Sequence, residues 1–308
     1  MNIINRRKWF FLISALLVVP SIVALLTPPS LRAGIDFTGG TAMTVEFEQP
    51  TSAPLIRLSL EELGHESAIV QSLDDKTYFI RLSELQQEER DSKDKIVVAS
   101  GRSKIEQGLS SLSPMRITSI EAVSALIGSE NIRNATIAVA VAAVAILLYV
   151  TWAFRRVPSP FRYGSAAIVA LLHDLIIVLG IFSILGKFAN LEVNAMFITG
   201  VLTVIGYSVN DTIVVFDRIR ENVGKYQNIA LPDIANISVR ETIGRSLNTS
   251  ITLLIVIAAL LLFGGPTIQP LLLVLLVGVV VGTYSSIFVA TLMLVSWAVS
   301  YTHLRAHE

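Results

Sequence analysis

Asp211 lies inside the apolar run Ala195–Phe216, where a charged carboxylate costs several kcal/mol to hold in hydrocarbon. Such a group must face protein or water and have a partner or a proton, which is the chemistry of ion transport. With the cytoplasmic edge of this helix taken at Asp217, Asp211 sits roughly 9 Å inside it at ~1.5 Å per residue. Arg245, counted from an edge at Arg240 on the next helix, sits about 7.5 Å inside, so the two are expected to pair. A guanidinium favours the ionised aspartate and desolvation favours the neutral one, so a change in helix separation would switch the proton. The alternatives are a static buried ion pair and a snorkelling arginine.

His173 and Asp174 form a third intramembrane site, about 18 Å from Arg162 and close to the bilayer midplane. The partner expected for Asp174 is His173 or a polar group of another helix, and the alternative is a protonated acid bonded across helices. Two polar ridges accompany these groups. One follows Arg245 through Asn248, Thr249 and Thr252 along one helix side; the other runs through Thr203, Gly206 and Asn210. Facing ridges would form a polar seam carrying water, or would simply bond neighbouring helices. Gly278, Gly282, Ser286 and Ala290 recur at intervals of four, a small-residue ribbon for close packing within the chain or against another. Asp217, beside Arg218 and Arg220, reads as an interfacial anchor.

The elements that must position these groups are membrane helices. The sequence is 53% hydrophobic and 16% charged, with its apolar residues gathered into runs about one bilayer thick. Six spans are expected, near Trp9–Thr27, Ile132–Phe154, Tyr163–Leu185, Val193–Phe216, Ile243–Phe263 and Ile268–Val299. Arg6, Arg7, Lys8, Arg155, Arg156, Arg162, Arg218, Arg220, Lys225 and Arg240 fall at alternate helix ends, and the short connections opposite carry only Lys187. The positive-inside rule therefore puts both termini in the cytoplasm, and Trp9, Trp152 and Trp297 fall at the same ends. The first run is too long for a usual signal-peptide core and lacks an A-x-A site, so it reads as an anchor. The chain has no cysteine, hence neither a disulfide nor a thiolate metal site.

Residues 28–131 are too long and too polar for a loop and read as a folded extracytoplasmic domain. Ala42–Phe47 reads as strand, Leu55–Leu63 as helix, Ala68–Leu73 and Thr77–Leu82 as strands joined at Asp74-Asp75-Lys76, Lys95–Leu109 as helix and Met115–Ala122 as strand. This β-α-β-β-α-β order is the ferredoxin-like unit. The domain holds sixteen acidic and ten basic residues, which argues against nucleic acid as a partner and leaves a solvated face or a docking surface for polypeptide. Glu84–Asp94 reads as an exposed loop, and two prolines after Thr27 should end the first helix. Residues 132–299 then form a five-helix membrane domain, and residues 300–308 a short cytoplasmic tail to which no function is attached.

Other chemistries are not supported. Nucleotide-binding G-x-x-x-x-G-K-[ST] and metal-binding H-E-x-x-H patterns do not occur, and Gly39-Gly40 lacks a phosphate-binding context. The two aspartates differ in depth by roughly 9 Å, a poor start for a protease dyad sharing a proton.

Four segments together resemble the SecD/SecF family of protein-export membrane proteins, and its SecF side in particular. They are Gly34-Ile-Asp-Phe-Thr-Gly-Gly40, Ala170-Leu-Leu-His-Asp174, Ile205-Gly-Tyr-Ser-Val-Asn-Asp-Thr-Ile-Val-Val-Phe-Asp-Arg-Ile-Arg-Glu-Asn222 and Arg245-Ser-Leu-Asn-Thr-Ser250. The resemblance implies half of a resistance-nodulation-division exporter, with six spans and one extracytoplasmic domain after the first. It implies a SecD partner supplying the other half, the SecYEG translocon, YajC and YidC alongside, SecA as the cytoplasmic ATPase, and a secreted polypeptide as substrate. It also implies a proton or sodium gradient as the energy source, with no other cofactor, and places Asp211 and Arg245 in the ion pathway with an aspartate of SecD. The family often has a Gly-Pro element before the second span, which Glu121–Gly128 lacks. A scaffold of a translocon or insertase and half of a small-molecule exporter are the rival functions.

Overall fold

The computed structural model describes residues 3–297 apart from 84, 86–88, 91–95, 99–100, 158 and 227. The 300–308 tail lies outside the described residues. Six helices are long and apolar enough to cross a membrane, and the chain divides into a membrane unit, Met1–Arg32 with Ala135–Glu308, and a second unit, Ala33–Asn134.

In the second unit, a short helix α2 (Ile35–Thr38) leads into β1 (Gly40–Phe47), followed by α3 (Ala53–Glu62), β2 (Ile69–Ser72), β3 (Thr77–Leu82), β4 (Glu89–Arg90), β5 (Ile96–Val98), α4 (Gly101–Ser110) and β6 (Met115–Val123). The main sheet has the order β2-β3-β1-β6 with antiparallel neighbours, the ferredoxin-like arrangement. Strand alternation sends Met43, Val45, Phe47, Tyr78, Ile80 and Leu82 to one face, where Ile56 and Leu60 of α3 and Ile105 and Leu109 of α4 cover them. The β2–β3 turn is held by Asp74, whose Oδ1 accepts from the backbone N–H of Lys76 at 2.8 Å and of Thr77 at 2.7 Å. These bonds favour the charged form and hold its carboxyl below the usual aspartate range.

Two expectations change here. Ile96–Val98 is a strand paired with Glu89–Arg90, not the start of a helix, so α4 begins at Gly101 and the charged stretch before it contains part of a β-ribbon. Three β-branched residues in a row favour the extended chain. Lys95 and most of Glu84–Asp94 lie outside the described residues. Gly39 and Gly40 have φ of 72° and 122°, and a Cβ on Gly40 would stand 2.5 Å from the Leu82 carbonyl oxygen. The glycine pair is therefore required by the entry into β1.

The membrane unit comprises α1 (Arg7–Leu26), the span of α5 (Ala125–Ala153), α6 (Pro160–Phe188), α7 (Ala195–Lys225), α8 (Leu231–Phe263) and α9 (Gln269–Tyr284), which continues through a π-helical segment, Ser285–Ala290, to Trp297. Of the most apolar stretch of each helix, 56%, 50% and 61% is buried in α6, α7 and α9, against 17%, 6% and 17% in α1, α5 and α8. The first three therefore form the inside of the unit. α7 and α8 run well past the expected Phe216 and Ile243, because the amphipathic segments Asp217–Lys225 and Leu231–Thr242 continue both helices with further pairs. The helix ends assumed at Asp217 and Arg240 are thus interior positions. Asn194 caps α7, its Oδ1 accepting from Phe197 N–H at 3.0 Å.

Replacing Ile80, which is fully buried, by Ala is expected to destabilise the α+β unit by about 2–5 kcal/mol, whereas Leu58→Ala at an exposed site should be near neutral. Proteolysis within residues 33–134 of the purified full chain measures this, and equal cleavage rates for both variants would contradict the core assignment.

Candidate functional site

Asp174 is 1% exposed at the meeting of α6, α7 and the π-helical segment. Its Oδ2 accepts from Ser208 Oγ of α7 and from Ser285 Oγ of the π segment, both at 2.6 Å, and its Oδ1 lies 2.9 Å from Nδ1 of His173. The widened π turn lets the consecutive residues Ser285 and Ser286 both face inward but serve different helices. Ser286 Oγ donates to the Ser208 carbonyl at 2.9 Å and receives from Thr212 Oγ1 at 3.0 Å.

A second cluster joins α7, α8 and α9. Tyr207 OH lies 2.8 Å from Ser250 Oγ, which lies 2.6 Å from Thr283 Oγ1. Beyond it, Tyr284 OH donates to the Phe10 carbonyl of α1 at 2.7 Å. Where α7 and α8 extend past the apolar run, Arg218 Nε donates to Glu241 at 2.7 Å, and Asn222 Nδ2 donates to Glu241 at 2.8 Å and to Ser238 Oγ at 3.0 Å. Asp217 pairs with Arg220 one turn on.

Asp211 differs from Asp174 in one respect. It is 3% exposed, and its Oδ2 has no hydrogen-bond partner among the described residues. Arg245 is exposed on α8, and among the described residues no ion pair joins it to Asp211. Asn248, Thr249 and Thr252 are exposed with it, as are Thr203, Gly206 and Asn210 on α7. The threonines bond their own helices: Thr203 Oγ1 donates to the Thr199 carbonyl and Thr249 Oγ1 to that of Arg245. The two expected ridges therefore do not meet each other in this chain. The faces that do pack carry Tyr207, Ser208, Asp211 and Thr212 on α7 and Ser246 and Ser250 on α8. At 100° per residue a neighbouring position lies on another face, and the hydroxyls at i, i+4 spacing (Ser208 and Thr212; Ser238, Thr242, Ser246 and Ser250) were the signal that would have found it.

The small-residue ribbon packs on α7 within the chain. A Cβ on Gly278 would fall 2.1 Å from Val204 Cγ2, one on Gly282 would lie 3.3 Å from Ser208 Cβ, and Ser286 and Ala290 are buried. This close approach brings the Ser285 and Ser286 hydroxyls within reach of α6 and α7. Among the described residues no group of three or more His, Cys, Asp or Glu side chains could hold a metal ion.

Six helices long and apolar enough to cross a membrane, a buried carboxylate bonded across α6, α7 and the π-helical segment, and an α+β unit between the first and second helices in sequence define a multi-pass membrane protein. Residues 104–300 match the family described as protein export membrane protein SecD/SecF, C-terminal, and residues 34–51 match the SecD/SecF GG motif. The chain is 42% identical over 311 residues to the protein translocase subunit SecF of Thermobaculum terrenum, covering 96% of this chain and 93% of that one. It is 37% identical to the SecF subunit of Vibrio alginolyticus, covering 96% and 90%. The crystal structure of SecDF from Thermus thermophilus, described as a translocon-associated membrane protein, superposes with a TM-score of 0.82 at 33% identity. That match covers 97% of this chain and 38% of the other, so the chain spans well under half of the SecDF polypeptide. The chain belongs to the SecD/SecF family and is a SecF-type protein translocase subunit, a transport protein rather than an enzyme. The family and the fused SecDF chain imply a SecD partner.

Asp174→Ala would leave two buried hydroxyls and an imidazole without their acceptor and is expected to cost about 2–4 kcal/mol, against about 1 kcal/mol for Ser285→Ala, which leaves Ser208 in place. Thermal unfolding of the detergent-purified protein ranks the two, and equal midpoints would show that the carboxylate does not hold the helices.

Proposed function

We propose that this subunit couples an ion gradient to protein export, with Asp211 as the titrating group. The observation that carries the reading is its buried Oδ2, unpartnered inside a translocase subunit whose other intramembrane carboxylate is fully bonded. A group already satisfied by its fold has little reason to exchange a proton, whereas an unsatisfied buried oxygen gains a partner whenever a proton or ion arrives.

Arg245 is the counter-charge, and its exposed face with Asn248, Thr249 and Thr252 supports a SecD helix packing there to complete the pathway. A relay through His173 and Asp174 is less well supported, because the Asp174 carboxylate is already taken by the Ser208 and Ser285 hydroxyls. Both termini are cytoplasmic, and the ferredoxin-like unit is extracytoplasmic, where it receives the polypeptide emerging from the SecYEG translocon after SecA has driven insertion. YajC and YidC belong to the same assembly. The coupling ion is H⁺ or Na⁺. A scaffold working through the small-residue ribbon is less well supported, because that ribbon is occupied by α7 of the same chain.

Asp211→Asn, co-expressed with a SecD-like partner, is expected to lose most of the gradient-dependent release of a secreted precursor while the complex still co-purifies. Release at the wild-type rate with the gradient imposed would defeat the reading.

A further inference from the structure

The buried ridge of α8 bonds its own helix at every step but one. Ser238, Thr242 and Ser250 each donate to the carbonyl four residues earlier, those of Ile234, Ser238 and Ser246, at 2.8, 2.9 and 2.8 Å. Ser246 is the remaining step of this i, i+4 ridge. It is 1% exposed, and its Oγ has no hydrogen-bond partner among the described residues.

The register of the two helices puts Ser246 opposite Asp211. α7 and α8 are antiparallel neighbours, joined at Tyr207–Ser250 and again at Asn222–Ser238. One turn from the first contact, α7 has reached Asp211 and α8 has reached Ser246. The direction agrees: at about 100° per residue Asp211 lies about 40° around α7 from Tyr207, between Arg218 at about 20° and Asn222 at about 60°. Those three flanking residues all bond side chains of α8. On α6, Asp174 is taken by Ser208, Ser285 and His173, whereas Nε2 of His173 is itself buried without a partner among the described residues.

We infer that Ser246 is the α8 residue that positions the exchangeable proton of Asp211, the two side chains holding one water molecule between Ser246 Oγ and Asp211 Oδ2. Buried polar atoms find partners, and two oxygens at the same level of one interface that do not bond each other are satisfied together by a single bridging molecule. A hydroxyl suits the task because it accepts from that molecule when Asp211 is neutral and donates to it when Asp211 is charged. The functional meaning rests on Asp211 being the titrating group; the pairing itself does not.

Carbodiimides couple to protonated carboxyls in apolar surroundings, so labelling of Asp211, followed by mass spectrometry on the full chain co-purified with its SecD-like partner, reads the protonation state directly. Ser246→Ala is expected to raise the labelling rate of Asp211 at neutral pH at least about threefold, since the charged form loses its positioned ligand. Ser246→Thr, which keeps the hydroxyl, should stay near the wild-type rate, and labelling of Asp174 should be unchanged in both. An unchanged Asp211 rate in Ser246→Ala overturns the inference, and so does an equal change at Asp174, which would report general loosening. Slowing of wild-type labelling by sodium chloride but not potassium chloride would make the ligand a cation and overturn the water assignment. Normal export by Asp211→Asn would defeat the coupling reading and leave the labelling result standing.

Discussion

The membrane unit depends on the requirement that a polar group in an apolar medium find its partner on another helix. Asp174 is where that requirement is concentrated. One carboxylate takes hydroxyl donors from α7 and from the π-helical segment and the imidazole beside it, and so fixes three helices relative to one another. The arrangement needs a close approach, which Gly278 allows by leaving room for Val204, and a widened turn, which lets Ser285 and Ser286 serve different neighbours. α1 is attached by the same means: Ser21 fits where a Cβ on Gly180 would stand 2.2 Å away, and Lys187 Nζ donates to the Ala24 carbonyl at 2.7 Å.

The two intramembrane aspartates are chemically identical and sit in opposite surroundings. Asp174 accepts from the Ser208 and Ser285 hydroxyls and lies against Nδ1 of His173, which makes it a structural centre. Asp211 is one turn beyond Ser208 on the same helix and is buried without a partner for Oδ2. The fold thus satisfies one buried carboxylate with two hydroxyl donors and leaves an oxygen of the other without a partner among the described residues. The exposure of Arg245 on α8 leaves that positive charge outside the chain's own core.

The ferredoxin-like unit follows different rules. Its core is a conventional apolar one, with sheet and helices covering each other through fully buried Val45, Ile56, Leu60, Ile80 and Leu109. It needs no polar centre because water satisfies its outer face. Its entry is set by backbone geometry, with Gly39 and Gly40 in conformations that side chains disfavour.

Much of this was legible in the amino-acid sequence. Apolar runs of bilayer length fixed the number of spans, strand alternation between Ala42 and Ala122 read out the β-α-β-β-α-β order, and a lone carboxylate in an apolar run marked Asp211 and Asp174, since each of these signals is local. The helical reading of Ile96–Val98 failed because a three-residue strand carries too short a pattern to distinguish from a helix start. The residues of the expected polar seam lie on exposed faces of α7 and α8, about one position from the residues that pack between the two helices. Asn248 and Thr249 stand next to Ser250 in the chain, and Asn210 next to Asp211, yet only the rotation of each helix against its neighbours decides which of two adjacent polar residues is buried. Composition and period thus determined the helices, the sheet and the presence of charge within the membrane. Which hydroxyl meets which carboxylate was decided by tertiary packing alone, because it depends on the azimuth and register of helices far apart in sequence.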